Sequence, residues 1–293
     1  MTHRFGGLSR IHPITTLMQN ASMSSAMALM RISFMVGACT ASLCGCGTLP
    51  NGRAWGEDAT FRPGWERVRV AASTAARDPW VWAPLAGAAV FQVDDLDRRT
   101  SDWAREHTPV FGSQQSAEQW SDDLRSASAY AHYISIAATP SGGEPGDWFV
   151  NKAKGVFVGV AAVSSTGALT QALKGAVDRE RPDASDRESF PSGHTSASAV
   201  HTRLASRNLQ SIDLSRPART AFDAGLYALT IGTSWARIEA GYHYPADTLF
   251  SMALGNFLAS FVNDAFLGLE MSDAAFTVGA TDGGATVQWR TRF

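Results

Sequence analysis

Three groups of residues have the types and spacing to do chemistry. Lys174 is followed, after six intervening residues, by Arg181-Pro182; then comes Ser189-Phe190-Pro191-Ser192-Gly193-His194; last, Arg237 precedes His243 by five intervening residues and His243 precedes Asp247 by three. Together they gather three cations, two histidines and one carboxylate. Lys174, Arg181 and Arg237 are suited to surround a phosphate, with arginine giving two-pronged hydrogen bonds. Ser192-Gly193-His194 opens a helix after a proline, where free backbone N–H groups favour an anion and glycine lets it approach. With a helix starting near Pro245, Asp247 lies in its first turn, close to His243. A carboxylate on one imidazole nitrogen fixes the tautomer and leaves the other free to attack. His194 can then protonate the leaving oxygen.

Taken singly, each residue has a plainer reading. Lys174 is then a solvated helix-end lysine, Arg181 a loop cation, and His194 a helix-start residue. His243, between Tyr242 and Tyr244, is then a packed core histidine, and Asp247 a helix cap. The set as a whole resembles the type 2 phosphatidic acid phosphatase superfamily, which includes vanadium haloperoxidases and bacterial class A acid phosphatases. The family pattern is Lys-x6-Arg-Pro, then Pro-Ser-Gly-His, then Ser-Arg-x5-His-x3-Asp. The chain matches all three in order, with Ala236 where the family often has serine before the arginine. That serine is usually a support, so activity is expected to survive. The motifs cover residues 174–247, and the similar helical layout extends over roughly 130–268.

The resemblance implies an all-α helical bundle and a phosphatase. His243 is the implied nucleophile, forming a phosphohistidine, with Asp247 orienting it and His194 as general acid. Lys174, Arg181, Ser192, Gly193 and Arg237 are the implied phosphate-binding residues. Neither metal nor other cofactor is expected, since the cations supply the positive charge. The vanadium haloperoxidases, in which the matching histidine holds vanadate, are usually much longer than this chain.

The elements that must position these residues can be read from punctuation and periodicity. Residues 47–78 read as a linker with a short helix from Trp65. An apolar stretch runs from Trp80 to Val93, and Asp95–Arg105 has helical spacing. Residues 107–117 suit a loop and 118–138 a helix. A breaker cluster, Thr139 to Asp147, precedes a helix over 148–177, uncharged between Lys154 and Lys174. That gap is long enough to cross a bilayer or to form a bundle helix; its serines and threonines suit the latter equally well. Further helices fit 193–209, 217–235 and 245–268. Asp178, Arg179, Glu180, Asp183, Asp186, Arg187 and Glu188 are expected in a solvated loop, and Glu239 in a structural role. Trp80, Trp82 and Trp103 are expected in the core, with a membrane interface as the alternative. The tail from Phe276 to Phe293 alternates around Asp282-Gly283-Gly284, the signature of a short C-terminal β-hairpin.

The first residues have another character. Between Ile11 and Pro50 the one charged residue is Arg31, and an apolar stretch follows it. This is the layout of a secretory leader. Its end, Leu43-Cys44-Gly45-Cys46, resembles the bacterial lipoprotein signal, which implies cleavage before Cys46 and a lipid on its sulfur. Gly47, rather than aspartate, implies the outer membrane by the same resemblance. The three cysteines, Cys39, Cys44 and Cys46, are too close together for a disulfide framework, and no histidine stands by them at zinc-ligand spacing.

The net charge of −2, with no basic run, excludes an evident nucleic-acid surface, and the mean hydropathy of −0.10 argues against a chain mostly embedded in membrane. The expected organisation is a leader (1–45), a linker with N-terminal helices (46–125), a catalytic helical domain (126–268) and a hairpin tail (269–293). The expected partners are a membrane, through the lipid anchor, and a phosphorylated lipid or small phosphoester; no nucleic acid is expected and the oligomeric state is open. Undecaprenyl diphosphate, phosphatidate, phosphatidylglycerophosphate and lipid A phosphates all fit. A lipid-tethered acid phosphatase on soluble esters is the alternative. The expected place is the periplasmic side of a bacterial cell envelope.

Overall fold

The computed structural model describes residues 47–49 and 51–268, and the backbone alone of 274–281 and 284–291. The expected leader, its lipidation site Cys46, and Asp282 and Gly283 of the expected hairpin turn lie outside the described residues. The body is a bundle of α-helices: α1 (Trp65–Ala76), α2 (Pro79–Val90), α3 (Leu96–His107), α4 (Gln114–Ala138), α5 (Pro145–Val177), α6 (Gly193–Gln210), α7 (Arg216–Glu239) and α8 (Pro245–Val262). A π-helical turn, Asn263–Leu267, follows α8.

Local chemistry sets the boundaries. Asp78, Ser113, Ser192 and Ser215 each cap a helix by accepting a backbone N–H. Proline stands in the first turn of α2, α5, α7 and α8, where its missing N–H costs nothing. The Ser113 cap explains why α4 begins at Gln114, four residues before the expected start. Asp178 ends α5 in the left-handed conformation, turning the chain into the loop that carries the second motif.

α6 lies inside the bundle, packed by α4, α5, α7 and α8, and α8 also meets α1 and α2. The apolar core includes Trp55, Ile136, Val158, Val200, Leu204, Ala259 and Val262. α6 and α8 approach closely at Gly255. A Cβ there would stand 2.6 Å from the Ser196 carbonyl oxygen and 2.7 Å from Ala199 Cβ, so any side chain would push the two helices apart. This contact matters because His194 opens α6 and Asp247 opens α8. Much of the interior is polar but paired: Arg203 binds Asp78, and Arg207 binds Asp264.

Among the described residues, two segments are long and apolar enough to cross a membrane, Pro145–Val177 and Pro245–Leu267. They differ in their surroundings. The second is largely inside the bundle, whereas α5 turns Phe149, Val150, Phe157 and Val160 outward. Such a face suits association with a membrane. Trp80, Trp82 and Trp103 depart from the expected core placement: all are at least 40% exposed. Trp80 and Trp103 instead lie flat on Tyr227 and His107, which covers one face of each ring and leaves the other to the surroundings.

Candidate active site

The motif residues meet at the ends of α5, α6, α7 and α8. Lys174 is in the last turn of α5, Arg181 and Ser189 are in the following loop, and Ser192–His194 start α6. Arg237 is in the last turn of α7, His243 is in the turn after it, and Asp247 is in the first turn of α8.

His243 is 2% exposed. Its Nδ1 lies 2.5 Å from the carbonyl oxygen of Ser189. A carbonyl can only accept, so Nδ1 carries the proton and Nε2 keeps its lone pair. Burial, then Arg237, and further Lys174 and Arg181, hold the imidazole well below its ordinary value, against the Ser189 carbonyl. The ring is therefore neutral at physiological pH, with an unprotonated nitrogen.

Asp247 is not the direct partner of His243 that the sequence led one to expect. Its Oδ2 accepts from Ser189 Oγ at 2.6 Å and from the Tyr244 backbone N–H at 3.0 Å, while Oδ1 takes the Arg179 guanidinium. The geometric reason is the helix start: with Pro245 at the first position, the Asp247 carboxylate folds back over Tyr244 and meets the loop rather than the ring. The carboxylate thus grips the side chain of Ser189, whose carbonyl grips His243. Burial pushes the Asp247 carboxyl up to about 6, opposed by Arg179, Ser189 and Tyr244.

Arg179 is a second correction. Far from sitting in a solvated loop, it joins Asp247 to Asp97 (Nη2 to Oδ2, 2.7 Å) and lies 4.1 Å from the Tyr244 ring centroid. The loop closes on itself through the Ser189 N–H to the Arg179 carbonyl (2.9 Å). Asp97 also accepts the Ala246 N–H at 2.7 Å, a carboxylate at the N-terminus of α8. Glu239 is structural as expected, accepting from the backbone of Val110 and Phe111 and from Trp235 Nε1.

The three cations share one neighbourhood. Arg237 and Arg181 lie 4.0 and 5.0 Å from the centroid of the Tyr242 ring. Arg181 also pairs with Asp186 at 2.8 Å, and Lys174 Nζ donates to the Glu188 carbonyl. The Nε of Arg237 is buried with no hydrogen-bond partner among the described residues, and burial followed by Arg181 draws this guanidinium down to about 10. Lys174 is likewise lowered, by burial and then Arg181. Crowded, desolvated like charges of this kind are relieved by an anion. Ser192 accepts from Thr195 N–H at 3.4 Å, and its own N–H donates to Ser251 Oγ at 2.7 Å. The amides of Gly193 and His194 stand at the α6 N-terminus, where no earlier turn offers an acceptor.

His194 is partly open, with 28% of its side chain exposed, and its Nε2 lies 2.8 Å from Asp122 Oδ1. Burial, then Arg237, lowers its affinity for a proton, while Asp122 opposes that fall. Arg179, Asp97, Asp122 and Tyr242 are the site residues that reasoning from sequence missed, and Ser189, though named within the second segment, had been given no role. Ser189 had the clearest signal, since it stands inside the second motif segment.

Residues 155–267 match the sequence model of the PAP2 superfamily. No curated protein matches the chain. A crystal structure of a transmembrane PAP2-type phosphatidylglycerolphosphate phosphatase from Bacillus subtilis is similar at 16% identity with a TM-score of 0.46, over 63% of this chain and 92% of that one. The matched segment holds Lys174, Arg181, Ser192, Gly193, His194, Arg237, His243 and Asp247. The similarity to the PAP2 superfamily thus lies in residues 155–267, the part of the chain that carries the motif residues.

Proposed function

We propose that the chain is a metal-independent phosphatase that hydrolyses phosphate or diphosphate esters of membrane lipids through a phosphohistidine. One observation carries the reading. His243 is buried and neutral, with Nδ1 committed to the Ser189 carbonyl, no partner for Nε2 among the described residues, and the charges of Arg237, Lys174 and Arg181 acting on the ring.

In the proposed reaction the phosphoryl group sits among these cations and the amides opening α6. The Nε2 lone pair forms an N–P bond as the P–O bond to the leaving group breaks, and the leaving oxygen takes a proton from His194. Water then attacks phosphorus and gives a proton to His194. The N–P bond breaks, returning its electron pair to Nε2 and releasing inorganic phosphate. Charge on the phosphoryl oxygens develops among donors already in place, the usual source of most catalytic stabilisation. Asp247 acts through Ser189, holding the loop whose carbonyl orients His243.

Supporting a lipid substrate are the superfamily and the outward apolar face of α5, whose last turn carries Lys174. A lipid on Cys46 would keep the site beside a bilayer of the cell envelope, on the periplasmic side of an outer membrane. The tail is read as a strand pair laid on the bundle.

The test is phosphate release by the full chain with chelator present, on p-nitrophenyl phosphate, phosphatidate and undecaprenyl diphosphate, beside His243→Ala. Turnover that survives chelation, prefers a lipid and vanishes in the variant is expected. Equal silence of both proteins on every substrate would leave only the fold. A preference for the soluble ester would move the substrate class away from lipids.

A further inference from the structure

The family-matched segment begins at residue 155, yet one wall of the site comes from α4, well before it. Three residues on one face of that helix reach the site. Glu118 Oε1 accepts from Tyr242 Oη at 2.8 Å, Ser121 Oγ accepts from Arg237 Nη1 at 3.4 Å, and Asp122 Oδ1 meets His194 Nε2 at 2.8 Å. Positions three and four apart share a helix face, so a single stripe of α4 serves the base of the cation cluster, one cation and the second histidine.

The register of this stripe is fixed deeper in the bundle. Ser128 of α4 and Ser198 of α6 share a hydrogen bond at 2.7 Å, and His132 and His201 meet through their Nδ1 atoms at 3.1 Å. α4 therefore cannot slide along α6 without breaking buried polar contacts, and Asp122 is presented to the first turn of α6. The charged groups acting on His194 are Asp122 and Arg125 from α4 and Arg237 from α7. Arg125 also touches Asp122, at 3.4 Å.

We infer that Asp122 is a positioning residue for the second histidine: it holds Nε2 of His194, leaving Nδ1 to face the leaving oxygen, and it favours the protonated imidazole that must give up a proton. The inference rests on the proposed phosphatase chemistry. Both cations near His194 disfavour a charged imidazole, and Asp122 is the counterweight among the described residues. A group that donates a proton and later takes one works best with its affinity near the operating pH.

The experiment is the pH dependence of kcat and kcat/KM for the full chain, using an alkyl phosphate ester, in wild type, Asp122→Asn, Asp122→Glu, His194→Ala, His243→Ala and the double variant Asp122→Asn/His194→Ala. Asp122→Asn keeps an acceptor but loses the charge. It should lower kcat about tenfold near neutral pH with little change in KM, and move the alkaline limb to lower pH. Asp122→Glu should restore most of both. In the His194→Ala background, Asp122→Asn should cost less than about twofold, because residues acting as a unit are not additive. Proton NMR titration of His194 gives an independent readout: its midpoint should fall in Asp122→Asn. An unshifted limb and midpoint, or losses that multiply in the double variant, would overturn the assignment while leaving a His243-dependent phosphatase intact. Absent turnover in wild type, or wild-type rates in His243→Ala, would overturn the phosphatase reading and this assignment together.

Discussion

Ser189 presents two groups in opposite roles: its carbonyl accepts the Nδ1 proton of His243 at 2.5 Å, while its hydroxyl donates to Asp247 at 2.6 Å. His243, the proposed nucleophile, is thus oriented by main chain, and the carboxylate four residues after it fixes the main chain. Ser189→Ala keeps the carbonyl and loses the grip of Asp247. It should lower kcat roughly tenfold with an almost unchanged KM, as expected when an interaction that matters mainly in the transition state is weakened. It should also destabilise the fold by about 1 kcal/mol, the usual worth of a buried hydrogen bond. Steady-state kinetics and chemical denaturation check both; a loss confined to KM would argue that Ser189 holds substrate instead.

Arg179 compensates two carboxylates, Asp97 and Asp247, both nearly inaccessible to solvent. Arg179→Ala should destabilise the protein by roughly 3 kcal/mol at neutral pH, since removing one partner strands buried charge. The sign of its pH dependence follows from Asp247, whose carboxyl is raised from 3.8 to about 6. A raised carboxyl favours the fold fully below 3.8, and that contribution is lost as pH rises through about 6. Without Arg179 the carboxylate form is disfavoured further. The variant should therefore be closest to wild type near pH 4 to 5 and fall behind towards pH 8, as followed by thermal unfolding across that range. A constant difference at every pH would contradict the pairing.

The spacing of the three motifs made Lys174, Arg181, Ser192, His194, Arg237 and His243 legible as one set. The caps and prolines made most helix starts legible too. What escaped has identifiable physical causes. The Ser189 carbonyl is a backbone atom, and no residue type advertises it. Asp122 meets His194 across 72 positions, and Asp97 meets Ala246 across 149, contacts that leave no periodic trace in the chain. Arg179 lies among alternating charges that resemble a solvated loop; its pairing with Asp97 and Asp247, distant in sequence, is what holds it inward. The tryptophans of α2 and α3 were misplaced because hydrophobicity alone does not separate a core from an apolar outer face.

Tyr242 offers its ring face to both Arg237 and Arg181. Contacts of this kind are worth about 1 kcal/mol each when partly desolvated. Tyr242→Leu should therefore weaken competitive inhibition by inorganic phosphate or vanadate by roughly tenfold. Tyr242→Phe, which loses only the hydrogen bond to Glu118, should shift it far less. Equal effects of the two variants would mean that the hydroxyl, not the ring, supports the cations.

The proposed general-acid role of His194 predicts that its value depends on the leaving group. His194→Ala should cost roughly a hundred- to ten-thousand-fold on an alkyl phosphate, whose alkoxide needs a proton. On p-nitrophenyl phosphate, whose phenolate leaves unaided, the first step should change little. Single-turnover rates of leaving-group release on the two substrates measure this difference. Identical losses on both would assign His194 to phosphate binding rather than proton transfer.

The most direct test of the proposed chemistry is to trap the intermediate. The full chain would be mixed with a phosphate ester labelled in its phosphoryl group, quenched in base within one turnover, and digested for peptide mass spectrometry. A base-stable, acid-labile phosphoryl group on the peptide holding His243, absent from His243→Ala, is the expected result. Undiminished turnover in His243→Ala, or the label on another side chain, would contradict it.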